Sequence, residues 1–387
     1  MYERLLNPLK TRSFFLFGPR GVGKSTLLKG FFQTSEIGLW LDLLDEELNR
    51  RLLLHPKEIE AATKTLKKGS WVVIDEVQKA PGLLNYVQRL IESQGLKFAL
   101  TGSSARKLKR ESANLLGGRA HAYSLMTLSC NELGDDFELK KALEFGLLPT
   151  IWTDQVIESQ KDYLRGYVNN YIRQEIKEEQ VVRKLEPFLY FLEAAAQMNT
   201  EPINFTKMAR DAGVDNKAIE RYYEILVDTW LGFFLLPYDR SIRKQQLQRS
   251  KFYFFDNGVC RTLAQTLNVP LFTSTSDFGK AFEHFIVLEI HKQNIYLKKD
   301  FRLSYLRTKD DLEIDLVIKT PRGKILLVEI KSTTSVDTQS MASKVRLKKD
   351  LKAEALWIFS QDPVRRDYEE FTVWPWQEGL RQLAKML

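Results

Sequence analysis

The run Gly18-Pro19-Arg20-Gly21-Val22-Gly23-Lys24-Ser25 combines three glycines with a lysine and a hydroxyl in the order of a phosphate-wrapping loop. Ser13 to Phe17 before it is apolar and of strand type, and Thr26 to Phe32 after it has helical periodicity. Gly18 and Gly23 let the backbone curl until successive N–H groups point at phosphate oxygens. The helix that follows adds its positive end. Lys24 supplies a mobile charge for the outer phosphates, and the Ser25 hydroxyl is a ligand for Mg²⁺. Gly18, Pro19, Arg20, Gly21, Val22, Gly23, Lys24, Ser25 and Thr26 are therefore the expected contacts of ATP, with Mg²⁺ as its companion.

Further along, Trp71-Val72-Val73-Ile74-Asp75-Glu76 is a buried-type strand ending in two carboxylates. Beside a phosphate loop, Asp75 is expected to hold Mg²⁺ through water and Glu76 to polarise an attacking water. Glu76 argues against a small-molecule kinase, which needs an acceptor hydroxyl there rather than a hydrolytic carboxylate. Lys97 to Thr101 is another strand, and Ser103 at its tip, with Thr101 in reserve, is the expected polar contact to the γ-phosphate or the water. Arg119, ahead of a strand from Ala120 to Leu125, is a candidate for stabilising transition-state charge, in cis or on a neighbour's nucleotide. An ordinary surface arginine is its bland alternative.

A second constellation lies in the last third. Leu312, Ile314, Leu316 and Ile318 alternate with Glu313, Asp315, Val317 and Lys319, Pro321-Arg322-Gly323 makes a turn, and Lys324 to Lys331 returns. A hairpin centred on Arg322 sets Asp315 opposite Glu329, about 5 Å apart. Glu283 shares a helical stripe with Val287 and Ile290. Together these acids outline a divalent-metal site with Asp315 and Glu329 as ligands and Glu283 above, and Lys331 is placed to activate water or steady a phosphate. Glu-x-Lys occurs three times, but only Glu329–Lys331 sits on an apolar strand after a suitably spaced aspartate. The bland alternative is a cross-strand Glu313–Lys331 pair on a solvated sheet, and a one-residue slip would turn one carboxylate to the wrong face.

The elements around these residues fit 387 residues of globular composition, 44% hydrophobic and 28% charged. Cys130 and Cys260 frame no disulfide scaffold, and His55, His121, His284 and His291 show no zinc spacing. No apolar run approaches the roughly 20 residues of a membrane span, so a cytoplasmic chain with no membrane partner is expected. Lys and Arg number 58 against 50 Asp and Glu, a net +8. The excess gathers at Arg106–Arg110, Arg240–Lys251 and Lys292–Lys309, each either a phosphate-backbone contact or a solvated face.

Gly18–Ser25, Ile74-Asp75-Glu76-Val77-Gln78-Lys79-Ala80-Pro81, Leu100–Ser104 and Gly118-Arg119 resemble one set of bacterial and archaeal AAA+-type ATPases. The resemblance implies an additional-strand P-loop sheet, with one strand between the phosphate-loop strand and the Asp-Glu strand. It also implies a C-terminal region that combines a winged helix with a nuclease-like fold, and it extends over Tyr167–Glu175 and Phe252–Gly258. Asn204 to Ala212, Gly213-Val214 and Asp215 to Val227 read helix, turn, helix, with Trp230–Tyr238 and Lys251–Phe255 as wing strands. Lys217, Arg221 and Tyr222 would then face DNA, or the unit would serve packing or protein contact alone. Glu283, Asp315 and Glu329-Ile330-Lys331 resemble the PD-(D/E)xK nuclease constellation. The expected order is an α/β ATPase domain over 1–150, a helical and winged-helix domain over 151–260, and an α/β restriction-endonuclease-like domain over 261–387. Two functions remain open: an ATP-hydrolysing, DNA-binding, Mg²⁺-dependent nuclease, and an ATP-driven switch whose C-terminal region binds DNA or protein without cutting. A homo-oligomer is left open, since no sensor arginine of the usual lid helix can be placed.

Overall fold

Five short apolar runs form one parallel sheet: β1 (Ser13–Phe17), β2 (Ile37–Asp42), β3 (Trp71–Asp75), β4 (Lys97–Gly102) and β5 (Ala120–Ser124). The order is β2-β3-β4-β1-β5, with every neighbouring pair parallel. β4 is the additional strand between the loop strand and the Asp-Glu strand. Every residue of β1 and β3 is buried, as a parallel sheet covered on both faces requires. Because all five strands run the same way, their C-terminal ends meet at one edge, where α/β sheets place ligands. The structure is a computed structural model that describes residues 2–104, 116–172, 185–239 and 249–386, with only the backbone of Tyr171 and Ile172. The Arg106–Arg110 cluster, and Arg240, Arg243 and Lys244, lie outside these residues.

The middle segment is helical. Helices Phe205–Asp211 and Asn216–Asp228 flank a turn at Gly213 (φ 65°), and the Asp215 carboxylate accepts the Ala218 N–H at 2.7 Å. Tyr222 corrects the expectation that it faces DNA. It is buried, with its ring 4.9 Å from Phe188 and 5.3 Å from Phe191, while Lys217, Glu220, Arg221 and Glu224 make a mixed-charge exposed face. A hairpin follows, β6 (Gly232–Pro237) with β7 (Lys251–Phe254), antiparallel.

The hairpin does not stand free as a wing. β6 pairs in parallel with β8 (Arg302–Arg307), through Leu236–Ser304 and Pro237–Tyr305. β9 (Glu313–Lys319), β10 (Ile325–Lys331), β11 (Ala355–Ser360), β12 (Arg366–Asp367) and β13 (Thr372–Pro375) complete the sheet. Its eight strands run in the order β12-β13-β11-β10-β9-β8-β6-β7. The boundary expected at 260 thus falls inside one sheet. The long helix Ser276–Tyr296 precedes β8, and helix Ala342–Leu351 links β10 to its parallel neighbour β11.

The two sheets share one apolar core, running from Phe14, Leu16 and Trp71 through Phe191 and Tyr223 to Phe285 and Trp376. The buried Glu289–Lys292 pair (2.9 Å) pins the long helix to the N-terminal domain: Glu289 accepts the Cys130 N–H and Lys292 donates to the Leu128 carbonyl. Lys292 is wholly buried, so it is no part of a basic surface. Among the described residues, no helix is long and apolar enough to cross a membrane.

Candidate functional site

The loop Gly18–Gly23 leaves β1 and enters the helix Lys24–Phe31. Gly18 has φ 151°, and a Cβ there would lie 2.0 Å from the Leu125 carbonyl oxygen, so only glycine fits. The Lys24 ammonium, buried with its side chain along the loop, donates to the carbonyls of Gly18 (2.9 Å) and Pro19 (3.0 Å). From β3, Asp75 accepts the Ser25 hydroxyl at 2.5 Å and also the Thr101 hydroxyl from β4. This hydroxyl and carboxylate, joined at the loop's exit, are a donor set that fits Mg²⁺.

Glu76 follows in the left-handed region (φ 57°), which turns its side chain out of the strand and toward the loop. Its N–H donates to Thr101 Oγ1 (3.0 Å), and its Oε2 accepts Ser103 Oγ (3.2 Å) and the Gln78 amide, which also donates to Ser103 (2.9 Å). Burial alone would raise the Glu76 pKa. The Lys24 charge, the donors Gln78 and Ser103 and the Arg20 charge outweigh it and hold the carboxyl below its ordinary range. The expected residues Lys24, Ser25, Asp75, Glu76 and Ser103 are thus brought together, and Thr101 joins them. Gln78 was not singled out from sequence; its signal is a polar residue inside the Asp-Glu-Val-Gln run that the structure buries.

Arg119 is not brought to this site in cis. It precedes β5, whose first residue pairs with Ser13 at the start of β1, at the opposite end of the sheet. A strand of that length, rising about 3.3 Å per residue, separates it from the loop by roughly 17 Å. Arg119 pairs instead with Glu92 at 2.6 Å on the surface.

Beside Gly23 and Thr26 opens a mostly apolar cavity of about 540 Å³, walled by Tyr2, Leu6, Val22, Leu27 and Pro149. Sequence reasoning did not anticipate it, because its walls come from segments far apart in the chain. Arg4 frames it, donating to the Val22 carbonyl (2.7 Å) and the Met126 carbonyl (2.6 Å) and pairing with Glu132 (3.0 Å). Two tyrosines tie the rest of the molecule to this edge. Tyr167 donates to the Arg20 carbonyl at 2.9 Å, and Tyr296 accepts the Met126 N–H at 2.8 Å.

In the C-terminal sheet Val328 pairs with Leu316, a register that continues to set Glu329 against Asp315. Asp315 accepts the Ile330 N–H at 2.7 Å. Glu329 is 1% exposed and pairs with Lys331 (2.8 Å) and with Lys344. Glu283 accepts the Tyr253 hydroxyl (2.7 Å) and lies 3.3 Å from Lys251, which in turn is 2.5 Å from Glu313. Burial and the neighbouring acids push Glu283 up to about 7, against the pull of Lys251. Lys251, read from sequence as part of a basic run that either meets a phosphate backbone or faces solvent, does neither: its side chain is 2% exposed. The bland pairing of Glu313 with Lys331 is replaced by Glu313 with Lys251. Among the described residues, no three acids, histidines or cysteines converge as a metal cage. Of the expected donor set, Glu329 and Glu283 are paired with ammonium groups, while among the described residues Asp315 takes a backbone N–H and no ammonium.

Residues 10–134 match an AAA domain. The N-terminal domain is an AAA-type P-loop domain. Residues 136–269 and 278–378 match two domains of unknown function, DUF8612 and DUF4143. An uncharacterized protein of Methanocaldococcus jannaschii is 21% identical over 339 residues, covering 82% of this chain and 74% of that protein. Among solved structures, a Thermotoga maritima RuvB mutant overlaps 57% of this chain and 81% of its own, at 14% identity and a TM-score of 0.32. Aeropyrum pernix ORC1 in complex with DNA overlaps 66% and 86%, at 11% identity and a TM-score of 0.25. Both overlaps are distant.

Proposed function

We propose that this protein binds ATP with Mg²⁺ at the edge of the five-stranded sheet and hydrolyses it, using Glu76 to take the proton of the attacking water. One observation carries the reading: Lys24 and Ser25 beyond β1, Asp75 and Glu76 at the end of β3, and Ser103 beyond β4 converge at one edge. Lys24 would leave the Gly18 and Pro19 carbonyls for the outer phosphates, while loop N–H groups bind the inner ones. Ser25 and Asp75 would hold Mg²⁺, whose contribution is to neutralise phosphate charge. Gln78 and Ser103 fix the Glu76 carboxylate, which is ionised at neutral pH and able to accept a proton. The cavity beside Thr26 is of a size and polarity to take the base. Phosphate release from wild type, Lys24→Ala and Glu76→Gln, with a fluorescent ATP analogue to score binding, tests this. Wild type should release phosphate, Lys24→Ala should lose binding and turnover, and Glu76→Gln should bind without turning over. Binding without release by wild type, with or without DNA, would overturn hydrolysis.

Contact of the C-terminal region with a DNA backbone is a second reading, favoured by one pairing. Arg302 lies directly opposite Lys319 across β8 and β9, and Arg322 sits exposed in the nearby turn, three basic residues beside one acid, Asp300. Like charges facing each other across a sheet are unfavourable until an anion joins them. Binding to duplex DNA that weakens steeply with salt, and less steeply in Arg302→Ala, would support it. Salt-independent binding, or none, would remove it. Metal-dependent cleavage does not enter the proposal, because Glu283 and Glu329, two of the acids it needs, are paired with lysines. The reading is therefore an ATP-driven switch whose nucleotide edge touches the rest of the chain through Tyr167, Arg4 and Tyr296.

A further inference from the structure

We propose that Lys251 is the resident cation of the C-terminal carboxylate cluster, holding the place that a divalent metal would take between Glu283 and Asp315. Four acids line this end of the sheet, though no three of them converge as a cage. Glu283 comes from the long helix, Glu313 and Asp315 from β9, and Glu329 from β10. Three ammonium groups reach them. Lys331 and Lys344 sit on Glu329, and Lys251 sits between Glu283 (3.3 Å) and Glu313 (2.5 Å), with Asp315 near enough for its charge to act on Lys251. Three ammonium groups face four carboxyls, and burial raises the pKa of two of these, Glu283 and Glu329, so the cluster is already close to neutral. Bringing in a divalent ion beside them would overshoot, unless a lysine left first.

Geometry says which lysine matters. Lys331 is on the same strand as Glu329 and is 40% exposed, so it can swing into solvent. Lys251 cannot: its side chain is 2% exposed, its ammonium lies 5.2 Å from the Tyr305 ring centroid, and it starts the edge strand β7. An ammonium buried to that degree is tolerated only among carboxylates, and it holds them in turn. Tyr253, two residues on and on the same face of β7, donates to Glu283 at 2.7 Å, so the edge strand supplies both a charge and a hydroxyl to one carboxylate. One buried oxygen of the cluster, Glu329 Oε2, has no hydrogen-bond partner. Glu283 and Glu313 each give an oxygen to Lys251, so a cation taking its ligands from them must first displace that ammonium. The chemistry assigned to the cluster is therefore that of an internal ion-pair lock joining the hairpin β6–β7 to the long helix and to β9.

The test uses the nucleotide-free full chain and Mn²⁺, with bound ion counted by electron paramagnetic resonance. Wild type and Asp315→Asn should bind equal amounts of Mn²⁺; a loss in Asp315→Asn would show a working metal site and overturn the proposal. Lys251→Met should gain a Mn²⁺ site that Lys251→Met with Asp315→Asn loses, and its melting temperature should rise with Mn²⁺. Lys251→Arg, which keeps the charge, should behave as wild type. A folded Lys251→Met that gains no Mn²⁺ would overturn the claim that Lys251 holds the metal's place. Should Lys251→Met fail to fold, the comparison of wild type with Asp315→Asn still decides.

Discussion

The molecule has two clusters of lysine and carboxylate near strand ends, one at the edge of each sheet, and they are satisfied in opposite ways. In the N-terminal cluster the carboxylates take hydrogen bonds from uncharged donors: Asp75 from the Ser25 and Thr101 hydroxyls, Glu76 from Ser103 and the Gln78 amide. Such donors orient an acid and leave its charge available to a cation or a proton. In the C-terminal cluster the acids take ammonium groups, Lys251 on Glu283 and Glu313, and Lys331 and Lys344 on Glu329. There the charge is spent inside the protein. Residue type is shared between the two sites; the charge of the partner separates a site poised for ligand from one closed on itself.

The contrast can be broken most sharply at Glu76. Replacing it with Gln should lower ATP turnover by about 10²–10⁴-fold while a fluorescent nucleotide still binds, the loss expected of a general base. The pH profile follows from the lowered pKa. Above it Glu76 is ionised and competent, and below it the acid is protonated and the rate falls. Turnover should thus hold through neutral pH and fail only below the ordinary carboxylate range. A fall near pH 6 to 7 would assign the base elsewhere.

Next in size is stability. Removing the buried Lys251 charge leaves the half-buried Glu283 and Glu313 without their cation, and chemical denaturation of Lys251→Met should show a loss of about 3 kcal/mol, the low end for a broken buried pair. An unchanged midpoint would mean that the lock contributes nothing. A smaller effect is expected at Gln78. Gln78→Leu should lower kcat by about 10- to 100-fold and leave KM nearly unchanged, since one orienting hydrogen bond to a charged group is worth about 1.5–3 kcal/mol. A rise in KM alone would place Gln78 in binding instead. The smallest change belongs to Arg119→Ala. Its exposed pair with Glu92 is worth about 0–1 kcal/mol, so turnover in dilute solution should stay within about twofold. A large loss that appears only as protein concentration rises would show that Arg119 serves a second copy.

Much of this was legible along the chain because the informative periods are short. The strand–loop–helix at Gly18–Ser25 and the Asp-Glu strand end are local patterns. Period-two alternation about the turn at Arg322 was enough to give the register that sets Asp315 against Glu329. Tyr222 went the other way: its neighbours Lys217 and Arg221 suggested a polar face, but Phe188 and Phe191 claim its ring. For Arg119 strand direction narrows the two roles the sequence allows: a residue before β5 lies at the wrong end of a parallel sheet for its own chain's nucleotide, which leaves a neighbour's. Gln78 was visible as a letter and invisible as a donor until β4 brought Ser103 beside it.

By itself, then, the sequence determined which local elements form and which residues stand at their ends: the phosphate loop, the carboxylates after β3 and the facing acids of the β9–β10 hairpin. Tertiary structure alone decided what those residues touch. Lys251 lies 32 residues from Glu283 in the chain, and the apolar run Phe252–Phe255 beside it marks a strand without saying which acids its ammonium would meet. Only the pairing of β6 with β8 carries β7 into the C-terminal sheet and drops that lysine among the acids. Local order depends on spacing, which a sequence states outright. Charge compensation depends on which distant groups share a low-dielectric space, and that is settled when the sheets close.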